Sequence, residues 1–139
     1  MTKITKEMRE EWRIKHEQKM AAEKVIIDTL LGEEDMLDDD GYPTEAAHTI
    51  IELWPYTDKK GWFTFIESIW HLKSWGWHEG IAEHDWDKGK MVYRYDISTA
   101  GWSGNEGLIR SMEKNDMLWN ITWVQSRRGG HFIFEVDHE

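Results

Sequence analysis

The sequence predicts an α+β fold, N-terminal helices packed on a mainly antiparallel four-stranded sheet in the order α-α-α-β-β-α-β-β, and three observations carry that prediction. Apolar residues recur at helical spacing from Ile4 to about Trp75. Beyond Ile81 the spacing changes to alternation, as in Met91, Tyr93, Tyr95 and Ile97 against Val92, Arg94, Asp96 and Ser98. Two turn-forming tetrads, Asp87-Lys88-Gly89-Lys90 and Arg127-Arg128-Gly129-Gly130, each lie between two such runs and read as hairpin turns.

From Thr5 to Leu31 there is no glycine or proline, and Ile4, Met8 and Trp12, then Met20, Val25, Ile26 and Leu30, recur at helical intervals. This is one long helix of about seven turns. Its charged middle, Arg9 to Lys19, offers little apolar surface, so the first half projects from the body or packs on a second subunit, and a homodimer through this helix is one expected arrangement. Gly32 stops the helix, which makes residues 1–32 one unit, 33–41 an acidic linker and 42–139 the α+β domain. Asp38, Asp40 and Gly41 suggest part of a calcium loop, but with Gly41 at its sixth position the first and twelfth would be Met36 and Ala47, where acids are required.

Thr44 caps a second helix carrying Ala47, Ile50, Ile51 and Trp54, which Pro55 ends; Asp58 caps a third, running through Trp62 to about Trp75. Ile81 to Trp86 and Met91 to Ser98 form the first hairpin. A short helix from Ser103 to about Lys114 turns Leu108, Ile109 and Met112 inward. Met117 to Ser126 then alternates as a strand, and His131 to Val136 closes the sheet with Phe132, Phe134 and Val136 inward. The aromatic residues of the helices read as core.

Composition narrows the function. The chain has 139 residues, 40% of them hydrophobic, with ten tryptophans, which fits one self-sufficient core. It has no cysteine, so thiolate chemistry and sulfur-bound zinc are excluded. A net charge of −10 argues against binding duplex nucleic acid through its phosphates. Six of the acids lie between Glu33 and Asp40. No run approaches the ~20 apolar residues of a membrane span, and Met1-Thr2-Lys3-Ile4-Thr5-Lys6 lacks a signal-peptide core, so the expected location is the cytoplasm.

Polar and ionisable residues concentrate at two turns, Ser98 to Glu106 and Gln125 to His131. Ser103 and Glu106 have capping-box spacing, which assigns them a structural role at a helix start; the functional reading is that the same helix end, reached through Gly101 and Gly104, offers backbone donors to an anion. Arg127 and Arg128 are either an ordinary solvated turn or a donor fork for phosphate or carboxylate, with His131 donating or shuttling a proton. If the two loops meet, Trp102 stacks on a base while the arginines hold phosphate. The histidines show no metal-ligand spacing, although Trp77-His78-Glu79 and Glu83-His84-Asp85 set carboxylates beside them; no metal and no cofactor is expected. A serine–histidine pairing of Ser103 or Ser126 with His131 lacks a nucleophile-elbow sequence, so no catalytic residue is assigned.

Asp40-Gly41-Tyr42-Pro43-Thr44 leading to Leu53-Trp54, then Ile69-Trp70 and Trp75-Gly76-Trp77-His78, resembles a family of uncharacterised small proteins of tailed bacteriophages and prophages. Ser98-Thr99, Gly101-Trp102-Ser103-Gly104-Asn105-Glu106, and Trp123 with Gln125-Ser126-Arg127-Arg128-Gly129-Gly130-His131 carry the same resemblance, with Ala100 where a glycine is expected. It covers residues 38–136. It implies a phage accessory product of the host cytoplasm and no particular reaction.

The first functional expectation is therefore a non-enzymatic protein that sequesters a small anionic ligand of nucleotide type, with Trp102 stacking, Arg127 and Arg128 neutralising charge, and Ser103, Asn105, Glu106 and His131 completing the site. The second is a protein–protein inhibitor of a host defence protein, using Asp38, Asp39 and Asp40 with the N-terminal helix against a basic surface. The third is a small nucleotide-acting enzyme with Glu106 or His131 as acid or base.

Overall fold

The computed structural model describes residues 3–84 and 86–138; Asp85, with its part in the first hairpin and in the Glu83-His84-Asp85 run, lies outside them. Helix α1 spans Lys6–Glu33, and the Thr5 side chain caps it by accepting from the Met8 N–H. It passes Gly32 without a break and ends one residue later. Among its residues only Ile27 is buried.

The 33–41 segment is not a free linker. Asp38 Oδ1 accepts from the N–H groups of Asp40 and Tyr42, both at 2.9 Å, and Thr44 N donates to Met36 O, so the acidic residues ride on a closed turn. That turn ends on the cap of α2 (Glu45–Leu53), where Thr44 accepts from Ala47 N as its sequence position predicts. Asp58 likewise caps α3 (Lys59–Ser68).

Helix α3 stops well before Trp75. Buried Asn105 accepts from His71 N at 3.0 Å and donates to His71 O at 2.9 Å, pulling that peptide out of helical bonding. Leu72 consequently turns into the left-handed region (φ 59°) before the short α4 (Lys73–Gly76). Strand β1 (Trp77–Glu83) begins at once and pairs with β2 (Met91–Ser98).

After α5 (Ser103–Lys114) the structure corrects the sequence reading again. The segment read as a strand over Met117 to Ser126 begins as a helix, α6 (Asp116–Thr122), and only its end lies in the shorter β3 (Trp123–Arg127). Asn115 Oδ1 accepts from Leu118 N, Asn115 Nδ2 donates to the carbonyls of Ile51 and Trp54, and fully buried Leu118 anchors the turn. These contacts outweigh the alternation of Trp119, Ile121 and Trp123. Strand β4 (His131–Asp137) completes an antiparallel sheet in the order β1-β2-β4-β3.

Helices α2, α3, α5 and α6 share one core with the sheet, and α1 packs on α2. Phe63 stacks on Tyr95 with ring centroids 4.1 Å apart and tilts onto Phe134 at 5.3 Å, while Trp62, Ile66, Leu108 and Met112 are fully buried around them. Each such side chain contributes roughly 2–3 kcal/mol on burial. Among the described residues no helix is long and apolar enough to cross a membrane.

Candidate functional site

Pairing of β2 with β4 decides which polar residues meet. Its register sets Ser98 opposite His131 and Asp96 opposite Ile133, and β3 adds Arg127 on the other side of His131. Ser98, His131 and Arg127 therefore form one rung across three strands on the outer face of the sheet. Just past that rung the two loops join. Thr99 N donates to Gly130 O at 3.0 Å, and a Cβ on Gly130, which sits at φ +78°, would run into Thr99 Oγ1. The turn after β2 is also left-handed, at Ala100 (φ 57°) and Gly101 (φ 71°), and closes with Trp102 N donating to Thr99 O.

From this junction the residues of the first loop lead away from the surface. The Trp102 ring stacks on Tyr42 at 4.7 Å, tilts onto His71 at 4.4 Å, and covers Gly104. Asn105 is fully buried, and its amide is spent on His71 and on Thr99 O. The capping box is not formed: Trp102 is the N-cap of α5 with no side-chain bond, Glu106 N bonds to Trp102 O, and Ser103 and Glu106 are exposed. Tyr42 also brings the Asp38–Asp40 turn to this end of α5, so its neighbourhood is acidic rather than hospitable to an anion.

The second loop keeps its groups available. Arg127 is exposed, and its Nε donates to Gln125 Oε1 at 3.2 Å; Arg128 is exposed with no hydrogen bond or ion pair among the described residues. His131 is held at both ring nitrogens, Nε2 at 2.8 Å from Asp96 Oδ1 and Nδ1 at 3.0 Å from Ser98 Oγ. On the next part of the same face, Arg94 Nε donates to Glu135 Oε2 at 2.9 Å, and the Glu135 side chain is only 8% exposed.

Asp96 and Ser98 are the members that sequence reasoning missed. Their signal was present: both lie on the polar face of β2, as His131 lies on the outward face of β4. What the sequence did not contain was the register that stacks the two faces.

In the neutral tautomer that directs Nε2–H at the Asp96 carboxylate, Nδ1 accepts the Ser98 hydroxyl hydrogen. This has the connectivity of an acid–histidine–serine relay with the ring nitrogens exchanged from the usual order. Acyl transfer needs free donors aimed near the serine oxygen. The N–H groups of Thr99, Gly101 and Trp102 are already bonded, to Gly130 O, Thr99 Oγ1 and Thr99 O. The relay thus orients His131 and Ser98 at an open surface.

A second ionisable pair lies elsewhere. Glu79 accepts from Trp77 Nε1 at 2.8 Å and from the Tyr93 hydroxyl at 2.9 Å, and it neighbours Glu67 across an open concavity of about 480 Å³ shared with Lys73 and His78. Burial first, then the charge of Glu79, raises the Glu67 carboxyl above its ordinary range, and the Glu79 hydrogen bond and partial burial raise Tyr93.

Comparison with protein-family models, curated proteins and solved structures finds no match to this chain.

Proposed function

We propose that this α+β protein is a binding protein that holds an anionic group, without turnover, on the open surface at the β3–β4 tip. The observation that carries the reading is the pair Arg127 and Arg128. In a chain with 27 acidic residues, two adjacent exposed arginines have no carboxylate partner among the described residues, and the rung of Ser98 and His131 stands beside them. A guanidinium fork matches phosphate or carboxylate, and hydroxyl and imidazole supply polar edges. The ligand is of nucleotide type, gripped by its phosphates and not by base stacking on Trp102, whose ring is already engaged by Tyr42 and His71. Together with the resemblance to phage accessory proteins, this suggests sequestration of a host defence signal in the host cytoplasm.

Calorimetric titration with ATP, a cyclic dinucleotide and adenosine tests it. The phosphorylated ligands should bind and weaken as salt rises, adenosine should not bind, and Arg127→Gln with Arg128→Gln should reduce affinity at least about tenfold, the scale of one charged contact. Absence of binding at millimolar ligand, or affinity indifferent to the double change, overturns the reading.

A second reading, inhibition of a host protein, is favoured by the exposed acidic turn and by Ile4, Met8, Trp12 and Ile14 standing exposed on α1 and its entry. Asp38 holds that turn together, so Asp39→Asn with Asp40→Asn is the cleaner probe of its charge.

A further inference from the structure

Helix α1 has two faces, and only one touches the body. His16, Met20, Glu23, Ile27 and Leu30 form the partly or fully covered side, with His16 near Tyr56 (ring centroids 6.1 Å). On the other side Met8, Glu11, Lys15, Gln18, Ala22, Val25 and Thr29 are all exposed, and they are spaced by three and four residues in strict alternation. That is the 3.5-residue spacing of a coiled-coil seam, with Met8, Ala22 and Val25 as its apolar members. Its apolar members stand near its ends, with Met8 46% and Val25 64% exposed, and Ile4 extends it by one step. Polar Glu11, Lys15 and Gln18 lie between.

We propose that the occupant of this seam is the α1 seam of a second copy of the chain, paired antiparallel about a two-fold axis between His16 and Glu17. In that register Met8 meets Val25 of the other copy, Ile4 meets Thr29, Glu11 meets Ala22 and Lys15 meets Gln18, so each apolar end packs against the opposite end and the polar centre pairs with itself. In each helix the residues covered by the body, His16, Met20, Glu23, Ile27 and Leu30, lie on a different face from the paired one.

Charge selects this direction. From Lys3 to Lys15 there are five bases and three acids, a net of +2; from Glu17 to Glu33, the rest of the helix, there are two bases and four acids, a net of −2. Antiparallel pairing sets each basic half beside an acidic one, whereas parallel pairing sets halves of like charge together. The projecting half of one helix then covers Val25 and Ile26 of the other.

Light scattering after size exclusion should give twice the 16.6 kDa chain mass at high concentration and the single mass on dilution. Val25→Glu, an exposed change that leaves the fold intact by circular dichroism, should shift the protein to the single mass. Because the chain has no cysteine, cross-linking reads the direction directly. Met8→Cys combined with Val25→Cys should form a covalent dimer on mild oxidation, while Met8→Cys alone should not. The two positions are roughly 25 Å apart within one helix, too far for an internal bridge. The single mass at every concentration overturns the proposal in favour of a different partner for α1, and efficient cross-linking by Met8→Cys alone overturns the antiparallel register. Neither result bears on anion binding at the β3–β4 tip.

Discussion

The two polar loops meet backbone to backbone at one end of the sheet, yet their side chains have opposite fates. In the loop before α5, Trp102 and Asn105 are absorbed by the fold, the ring between Tyr42, His71 and Gly104, the amide in the break between α3 and α4. At the β3–β4 tip, Arg127 and Arg128 remain exposed, and His131 is fixed by Asp96 and Ser98. The difference teaches that a run of turn-forming polar residues does not by itself announce a binding loop. An amide or indole that finds partners inside becomes structure, while a guanidinium without a carboxylate partner remains chemistry for the solvent side.

The contrast breaks first at Asn105. Replacing it with alanine leaves His71 N and His71 O without their amide partner in a part-buried setting and empties a fully buried side-chain position, so chemical denaturation should show a loss of about 3 kcal/mol. Trp102→Ala removes the contacts to Tyr42, His71 and Gly104 at a half-exposed site; a loss of roughly 2 kcal/mol is expected by the same measurement. Nucleotide affinity should change little in this variant, and a large loss would return Trp102 to the site.

Ala100, in the same loop, sits in a left-handed conformation. Its φ of 57° is a conformation in which a Cβ is strained, so Ala100→Gly should raise stability by about 1 kcal/mol in urea unfolding. Arg127→Gln with Arg128→Gln should move stability by no more than about 0.5 kcal/mol, since nothing in the fold depends on these groups.

Glu67 lies between the two cases, partly enclosed and sharing its surroundings with Glu79. A carboxyl raised in the folded state holds its proton more tightly than in the unfolded chain. It therefore favours folding at low pH and loses that contribution as pH rises through the raised pKa. Glu67→Gln keeps a donor toward Glu79 without titrating, so the variant should gain on the wild-type protein as pH increases above about 4.5, and a difference that does not vary with pH would remove Glu67 from this account.

Much of the fold was legible. The caps at Thr44 and Asp58 form as their positions predict, and β2 alternates from Arg94 to Ser98 as read. The misreadings at Trp62–Trp75 and Met117–Ser126 share a cause: Asn105 and Asn115 each reach from one element to the carbonyls of another, and neither long contact has a local signature. Of the candidate site, Arg127, Arg128 and His131 were visible as exposed turn chemistry, whereas Trp102 and Asn105 looked the same in sequence and proved to be interior.

What the sequence determined by itself is whatever four or five neighbouring residues decide: where helices start, which side of a strand is apolar, and where turns require glycine. The tertiary structure alone decided that Ser98 and Asp96 stand beside His131, more than thirty residues along the chain, and that Asn105 lies under His71. Local hydrogen bonds and periodicity act within a turn of chain, but a site assembled across β2, β4 and β3 exists only once burial of Phe134, Tyr95 and Phe63 has set the register between the strands.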